Sequence, residues 1–272
     1  MSEFFIELFS EEIPANLQNK TRQVFFQNLK EFLEKEDIKY SGEATAFSIP
    51  NRLIVYFQNI SKKITKKENE IRGPNINAPE DALNGFLKSY KISIDKTYKK
   101  KTDKGEFYFF KKPSESIETK FVLQKNLPKI LDKISWKKSM RWADHELYWG
   151  RPLKSILCCF DNKTLEFEYH HLVSSNITFI DKDFEQKTKK FVRFKDYLAF
   201  FKSQNIILDN KKREQFIVDQ LNRIAKKENL KIHFNSTLLN EVTNIVEKPN
   251  IIKCRFNKRF LEIPDDILVT TM

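Results

Sequence analysis

The sequence predicts an α+β fold, with mixed strands and helices in two or more small domains. Strand-like and helix-like segments are interspersed without the regular rhythm of a parallel β-α-β sheet. The chain opens β-α-β-β. Apolar residues make up 40% of it, 25 Phe among them, which is enough for a sizeable core and argues against wholesale disorder. At 272 residues, two compact domains are the default expectation and one large domain is the alternative.

Each element has a local reason. Phe4 to Phe9 is an apolar run broken only by Glu7 and reads as a strand. Pro14 then precedes Leu17, Val24, Phe25, Leu29, Phe32 and Leu33 at helical spacing, which predicts an amphipathic helix over about 15–35. Ala44–Ile49 and Leu53–Ile60 read as strands separated by turn chemistry at Pro50-Asn51. Lys62–Arg72 is mostly charged and reads as a surface connection, Gly73-Pro74 as a turn, and 79–90 as a short helix. Residues 98–112 hold a Lys-rich strand, a turn near Asp103-Lys104-Gly105 and the aromatic strand Phe107–Phe110, in which alternation places two of the four rings in a core.

Leu123, Leu127, Ile130, Leu131 and Ile134 keep helical spacing, with Pro128 predicting a kink or a fresh start. Strands are expected at 153–160 and 164–172, joined by a hairpin turn at Asp161-Asn162. Residues 182–195 are very basic and mark the expected domain boundary, between a region 1–181 and a helix-rich region 182–272. Helices follow at 195–204, at 210–228 with Asp209 as N-cap, and at 237–247 with Ser236 as N-cap. Strands near 250–256 and 260–263 close the chain.

Charge and composition narrow the partners. There are 49 Lys and Arg against 37 acidic residues, a net charge of +12 that favours polyanions through counterion release. The abundance of Lys, Asn, Ile and Phe also fits an AT-rich genome, which leaves a merely solvated basic surface open. Three cysteines, two of them adjacent at Cys158-Cys159, suggest a reducing compartment rather than a disulfide framework. The first ten residues do not resemble a signal peptide and no run of 18 apolar residues occurs, so a cytoplasmic protein with no membrane partner is expected.

The common chemical signatures are missing. There is no phosphate-binding G-x-x-x-x-G-K-[ST], no G-x-G-x-x-G, no G-x-S-x-G elbow, no Cys-x-x-Cys and no His-Glu-x-x-His. His170-His171 and Cys158-Cys159 sit on expected strands, where neighbours face opposite sides and cannot easily share a metal ion. Glu11-Glu12 diverge for the same kind of reason and read as a loop or helix start. No catalytic, cofactor-binding or metal-binding residue is assigned.

Five stretches carry a resemblance. They are Phe5-Ile6-Glu7-Leu8-Phe9-Ser10-Glu11-Glu12-Ile13-Pro14; Ile49-Pro50-Asn51-Arg52-Leu53; Arg72-Gly73-Pro74; Lys138-Ser139-Met140-Arg141-Trp142 with Arg151-Pro152; and Leu239-Asn240-Glu241-Val242 with Val246-Glu247-Lys248-Pro249. The ending Phe260-Leu261-Glu262-Ile263-Pro264, on to Thr271-Met272, keeps the same register. In order and spacing they resemble the N-terminal part of the β subunit of bacterial tetrameric glycine–tRNA ligase. Departures are visible. Asn51 replaces an arginine, the chain looks shortened after Arg72-Gly73-Pro74, and 174–180 lacks the family's Gly-His-Arg turn. Lys248 replaces a common aromatic and Cys254 a glycine. The sequence stops at Met272, where the family runs on through an HD-like domain to an anticodon-binding region, so a fragment or a shortened version is expected.

The resemblance implies a non-catalytic segment of an α2β2 ligase that joins glycine to tRNA-Gly. ATP and Mg2+ are then used through the α subunit, and this segment binds neither and is inactive alone. Its implied partners are the α subunit and tRNA-Gly. Candidate tRNA contacts are Arg52, Arg72, Lys138, Arg141, Trp142 and Arg151, cations for phosphate and an indole for stacking. A structural reading stands beside each: Trp142 and Met140 pack a core, Lys138 and Arg141 cap a helix, and Arg72 and Arg151 tie turns to backbone carbonyls. The lysine runs 62–67, 99–104 and 187–190 read as solvated faces, with contact of one run to tRNA as the alternative, and the rings of Phe107, Tyr108, Phe109 and Phe110 read as partly core, with a stacking platform as the alternative. Two rival functions remain: a stand-alone RNA-binding module, and a scaffold without RNA contact.

Overall fold

The computed structural model describes residues 1–66, 68–180 and 187–271. In chain order the elements are β1 (Ser2–Ser10), α1 (Ala15–Lys35), β2 (Tyr40–Ile49), β3 (Arg52–Ile60), β4 (Lys63–Lys66), β5 (Asn69–Asn75), α2 (Glu80–Tyr90), β6 (Thr97–Thr102), β7 (Gly105–Lys112), β8 (Glu115–Glu118) and α3 (Thr119–Asp132). There follow β9 (Leu153–Phe160), β10 (Lys163–Thr164), β11 (Glu168–Tyr169), β12 (Leu172–Val173), β13 (Ile177–Phe179), β14 (Thr188–Lys190), α4 (Phe194–Ser203), α5 (Asn210–Glu228), α6 (Ser236–Ile245) and α7 (Asp265–Thr271). The class is α+β, as the irregular alternation of segments predicts.

Five strands in the order β10-β9-β1-β3-β2, all pairs antiparallel, form the main sheet. Its two faces come directly from the period-2 alternation of β1. Phe4, Ile6 and Leu8 enter one core, shared with Phe25, Leu29 and Leu33 of α1 and Leu123, Leu127 and Leu131 of α3. Phe5 enters a second core on the opposite face, with Phe47, Tyr56, Phe194, Tyr197 and Phe201. The strand is therefore covered on both sides, which is why it reads as a nearly continuous apolar run. Each fully buried Leu or Phe contributes about 1.5–3 kcal/mol.

The other face is covered by α4, whose Phe194 ring stacks on Tyr56 at 4.0 Å. So the region after residue 186 packs on the sheet built from the first 60 residues. α6 is also tied to α1: Gln18 Nε2 donates to the Asn244 carbonyl at 2.7 Å and to the Ile13 carbonyl at 2.9 Å. Arg213 of α5 is wholly buried and donates to the carbonyls of Thr243 at 2.7 Å and Ser48 at 3.0 Å, joining α6 to β2. Burial pushes its pKa down to about 10.

A separate unit is inserted after β3. β4 and β8 pair antiparallel as a two-stranded stem. Between them lie α2 and a three-stranded antiparallel sheet of order β5-β7-β6. Beyond the stem, Thr119 Oγ1 donates to the Ser61 carbonyl at 2.6 Å and anchors the start of α3.

Several expectations are corrected. The charged stretch 62–72 contains β4 and most of β5, and Gly73-Pro74 lies inside β5, at a register shift between Arg72 and Asn75. Proline has no amide to give a ladder, and an irregular step tolerates it. Helix α3 runs through Pro128 without interruption. Phe109 and Phe110 are both buried although adjacent: Tyr90 of α2 lies against Phe110, while Phe109 is flanked by Tyr98 and Lys100 of its own sheet. The strand expected at 164–172 is instead three short pieces, interrupted at 165–167 and again at 170–171, where His170 has a φ of +51°. Asn235 rather than Ser236 caps α6, its side chain accepting from Thr237 and Leu238 N–H. Where strands were expected near 250–256 and 260–263, the backbone is irregular, then a 3-10 turn at Lys258–Glu262. The expected boundary after residue 181 lies outside the described residues.

Candidate functional site

The resemblance-bearing stretches are far apart in sequence, and backbone hydrogen bonds bring three of them together at one end of the main sheet. Ser10 N–H donates to the Asn51 carbonyl at 2.9 Å, Glu11 N–H to the Pro152 carbonyl at 2.9 Å, and Ile13 N–H to the Pro50 carbonyl at 2.6 Å. A fourth contact fixes the Lys-Ser-Met-Arg-Trp stretch: Met140 and Trp149 exchange N–H···O bonds at 2.8 and 3.1 Å. Gly150 lets Trp136 approach so closely that a Cβ there would lie 2.2 Å from the indole. Together these contacts shape an open groove of about 1110 Å³, lined among others by Ser10, Glu11, Glu12, Asn51, Met140, Trp142, Arg151, Lys154 and His171.

The groove's chemistry is mixed. Lys154 Nζ lies 2.6 Å from Glu11 Oε1, both half exposed, so the pair is worth at most about 1 kcal/mol. Trp142 is half-buried against the core and meets the His171 ring edge-on at 5.6 Å. His171 stacks on His145 with ring centres 3.6 Å apart and planes 2° from parallel. Burial first, and the His145 and His170 charges next, hold the His171 pKa below its ordinary 6.5. The stacked pair was not foreseen, because residues 145 and 171 are remote in sequence.

The predicted tRNA-binding residues separate into four groups. Trp142 and Arg151 line the groove, and Arg151 donates to the Gly150 carbonyl at 3.0 Å. Lys138 and Arg141 belong to the same loop and are exposed, with Arg141 Nε donating to the His145 carbonyl at 3.1 Å. Arg72 is exposed on the inserted sheet, its guanidinium 3.5 Å from the centre of the Phe107 ring. Arg52 is only 2% exposed and sits under the groove in a buried network.

That network centres on Glu7, the lone charge in the first strand. Glu7 Oε2 lies 3.2 Å from Arg52 Nε and accepts the Tyr197 hydroxyl, while Oε1 accepts the Thr178 hydroxyl. Arg52 donates further to Asn51 Oδ1 at 2.7 Å and to the Phe179 carbonyl, and lies between the Phe9 and Phe201 rings at 4.6 and 5.0 Å. Its donors point inward. Burial and the Glu7 charge raise the Tyr197 pKa well above the ordinary phenol value. The role of Arg52 in this structure is to join β3, β1 and β13 beneath the groove. An isolated Glu within an apolar run was the sequence signal for this cluster. Thr178 and Phe179 occupy the stretch where the family's Gly-His-Arg turn is missing, and here they supply a hydroxyl and a carbonyl to the network.

Among the described residues no group of three or more His, Cys, Asp or Glu side chains could hold a metal ion, and no helix is long and apolar enough to cross a membrane. Cys158 and Cys159 are buried and Cys254 is exposed. The groove presents rings, cations and carboxylates at the meeting point of the motifs.

Comparison with known proteins, rather than the groove itself, places the chain in an aminoacyl-tRNA synthetase family. A family model described as "Glycyl-tRNA synthetase beta subunit" matches residues 4–272. Similar curated proteins include the glycine–tRNA ligase β subunits of Rickettsia prowazekii (strain Madrid E), 35% identical over 273 residues, and Rickettsia felis (strain ATCC VR-1525 / URRWXCal2), 35% identical over 274 residues. That of Rickettsia typhi (strain ATCC VR-144 / Wilmington) is 34% identical over 272 residues. Each alignment covers 100% of this chain and 41% of the relative. The chain belongs to the glycyl-tRNA synthetase β-subunit family and corresponds to the N-terminal part of its members.

Proposed function

We propose that this chain serves as the N-terminal part of the non-catalytic β subunit of a glycine–tRNA ligase. It contributes to tRNA-Gly binding and to assembly with an α subunit, in an α2β2 enzyme working in the cytoplasm. Activation of glycine with ATP and Mg2+, and its transfer to tRNA, belong to the α subunit. The supporting observation is the convergence of separate family stretches on one groove, flanked by Lys138, Arg141 and Arg151. Those cations, within a chain of net charge +12, suit the phosphates of an RNA backbone.

The test is binding of labelled tRNA-Gly to the purified chain across a salt series. Docking through several lysines and arginines predicts a steep, log-linear loss of affinity with salt, and a shallower slope for Lys138→Ala/Arg141→Ala. Absence of binding at low salt would favour the scaffold role instead, which the inward-facing Arg52 network already illustrates for one of the motifs.

A further inference from the structure

The inserted sheet has one face whose chemistry the groove does not use. Antiparallel register puts Phe107, Phe109 and Lys111 of β7 on the same side as Tyr98 and Lys100 of β6 and Glu70 and Arg72 of β5. Contacts confirm the arrangement: Tyr98 and Phe109 stack at 6.1 Å, Lys100 lies 5.4 Å over Phe109, and Arg72 lies 3.5 Å over Phe107. Helix α2 packs on the opposite face, where its Tyr90 meets Phe110 at 6.3 Å and Phe86 lies against Gly73.

We propose that this face is a stacking platform for unpaired RNA nucleotides, with Arg72 as its outer layer. The guanidinium is planar and exposed, with one face held on Phe107. Its other face is free to carry a base, since bases stack on arginine planes as well as on aromatic rings. Arg72, Lys100 and Lys111 are exposed cations against the carboxylates of Glu70 and, at its margin, Glu68, so the charge balance still favours a polyanion. Glu70 is itself engaged, accepting the Tyr98 hydroxyl and lying 2.5 Å from Lys100 Nζ, which fixes the lysine beside the rings. A duplex buries its bases and gives this surface nothing to stack. An unpaired segment of the RNA is therefore the occupant. The inference rests on the reading of this chain as a tRNA-binding subunit.

The experiment measures binding of two probes, tRNA-Gly and single-stranded hexauridylate, to the full chain and to Arg72→Ala and Arg72→Lys. Arg72 is exposed, so both variants are expected to fold, which thermal melts check. Loss of one base stack lowers hexauridylate affinity roughly 5- to 100-fold. The lysine variant, which keeps the charge but not the plane, loses nearly as much as the alanine variant. Lys30→Ala, which removes a cation from α1, changes little. The platform is overturned if Arg72→Lys binds hexauridylate like wild type, or if a duplex RNA of equal length competes as well as the single strand. If wild type binds hexauridylate with this Arg72 dependence but not tRNA-Gly, the platform stands and the tRNA-subunit reading fails. If tRNA-Gly binds and hexauridylate does not, the platform alone is lost.

Discussion

Replacing Arg52 by Met should be among the most damaging single changes in this chain. The Arg52 and Glu7 side chains are 3% and 0% exposed, so water screens neither. At their separation of 3.2 Å, an effective dielectric of about 20 gives an attraction on the order of 5 kcal/mol. Removing one partner of a buried pair costs about 3–5 kcal/mol because the other charge is left without compensation. Thr178 and Tyr197 still donate to Glu7, but they are neutral. For a chain of this size the loss corresponds to a fall in Tm of roughly 6–20 °C. Urea unfolding followed by the fluorescence of Trp136, Trp142 and Trp149 measures it. In a double-mutant cycle, Glu7→Gln/Arg52→Met should cost clearly less than the two single changes summed. A single Arg52→Met variant within about 1 kcal/mol of wild type would refute the claim that this arginine holds the fold.

Gly150→Ala should destabilise the chain by about 1–3 kcal/mol through overpacking against Trp136, and thermal melting checks it. The effect should shrink when Trp136 is replaced by Leu. His171 should titrate by NMR below 6.5, and His145→Gln should raise its midpoint by removing one of the neighbouring charges. Because this base has a folded pKa below its unfolded one, the unfolded chain takes up the proton first. His171 should therefore cost the fold stability as pH drops below about 6.5, and none above it. Native alkylation should modify Cys254 alone, since Cys158 and Cys159 are buried and burial drives the Cys159 thiol up to about 12. Mass spectrometry reads one adduct before denaturation and three after.

How much was legible depended on where each signal lies. Helix α1 and strands β1 to β3 were readable because their apolar spacing and the Pro50-Asn51 turn are local features. Asp209 was also readable as a cap, since its side chain needs only the N–H groups of Lys211 and Lys212. β4 and β5 were missed because they are polar and exist through pairing with β8 and β7, which lie far along the chain, as in Lys63 with Glu118 and Asn75 with Phe107. The His145–His171 stack and the groove itself depend on contacts between remote loops and left no periodic trace. Arg52 shows the other limit. Its motif was visible, but only the three-dimensional placement of Glu7, Thr178 and Tyr197 distinguishes a buried tie from a phosphate contact. Resemblance located the important stretches, and the packing assigned their work.

The most direct test of the central claim is to purify the protein from its own cells and assay what accompanies it for glycylation of tRNA-Gly. The account predicts a co-purifying catalytic α subunit and a complex that charges tRNA-Gly with glycine in the presence of ATP and Mg2+. A protein isolated without any ligase subunit, binding no tRNA at low salt, would contradict it.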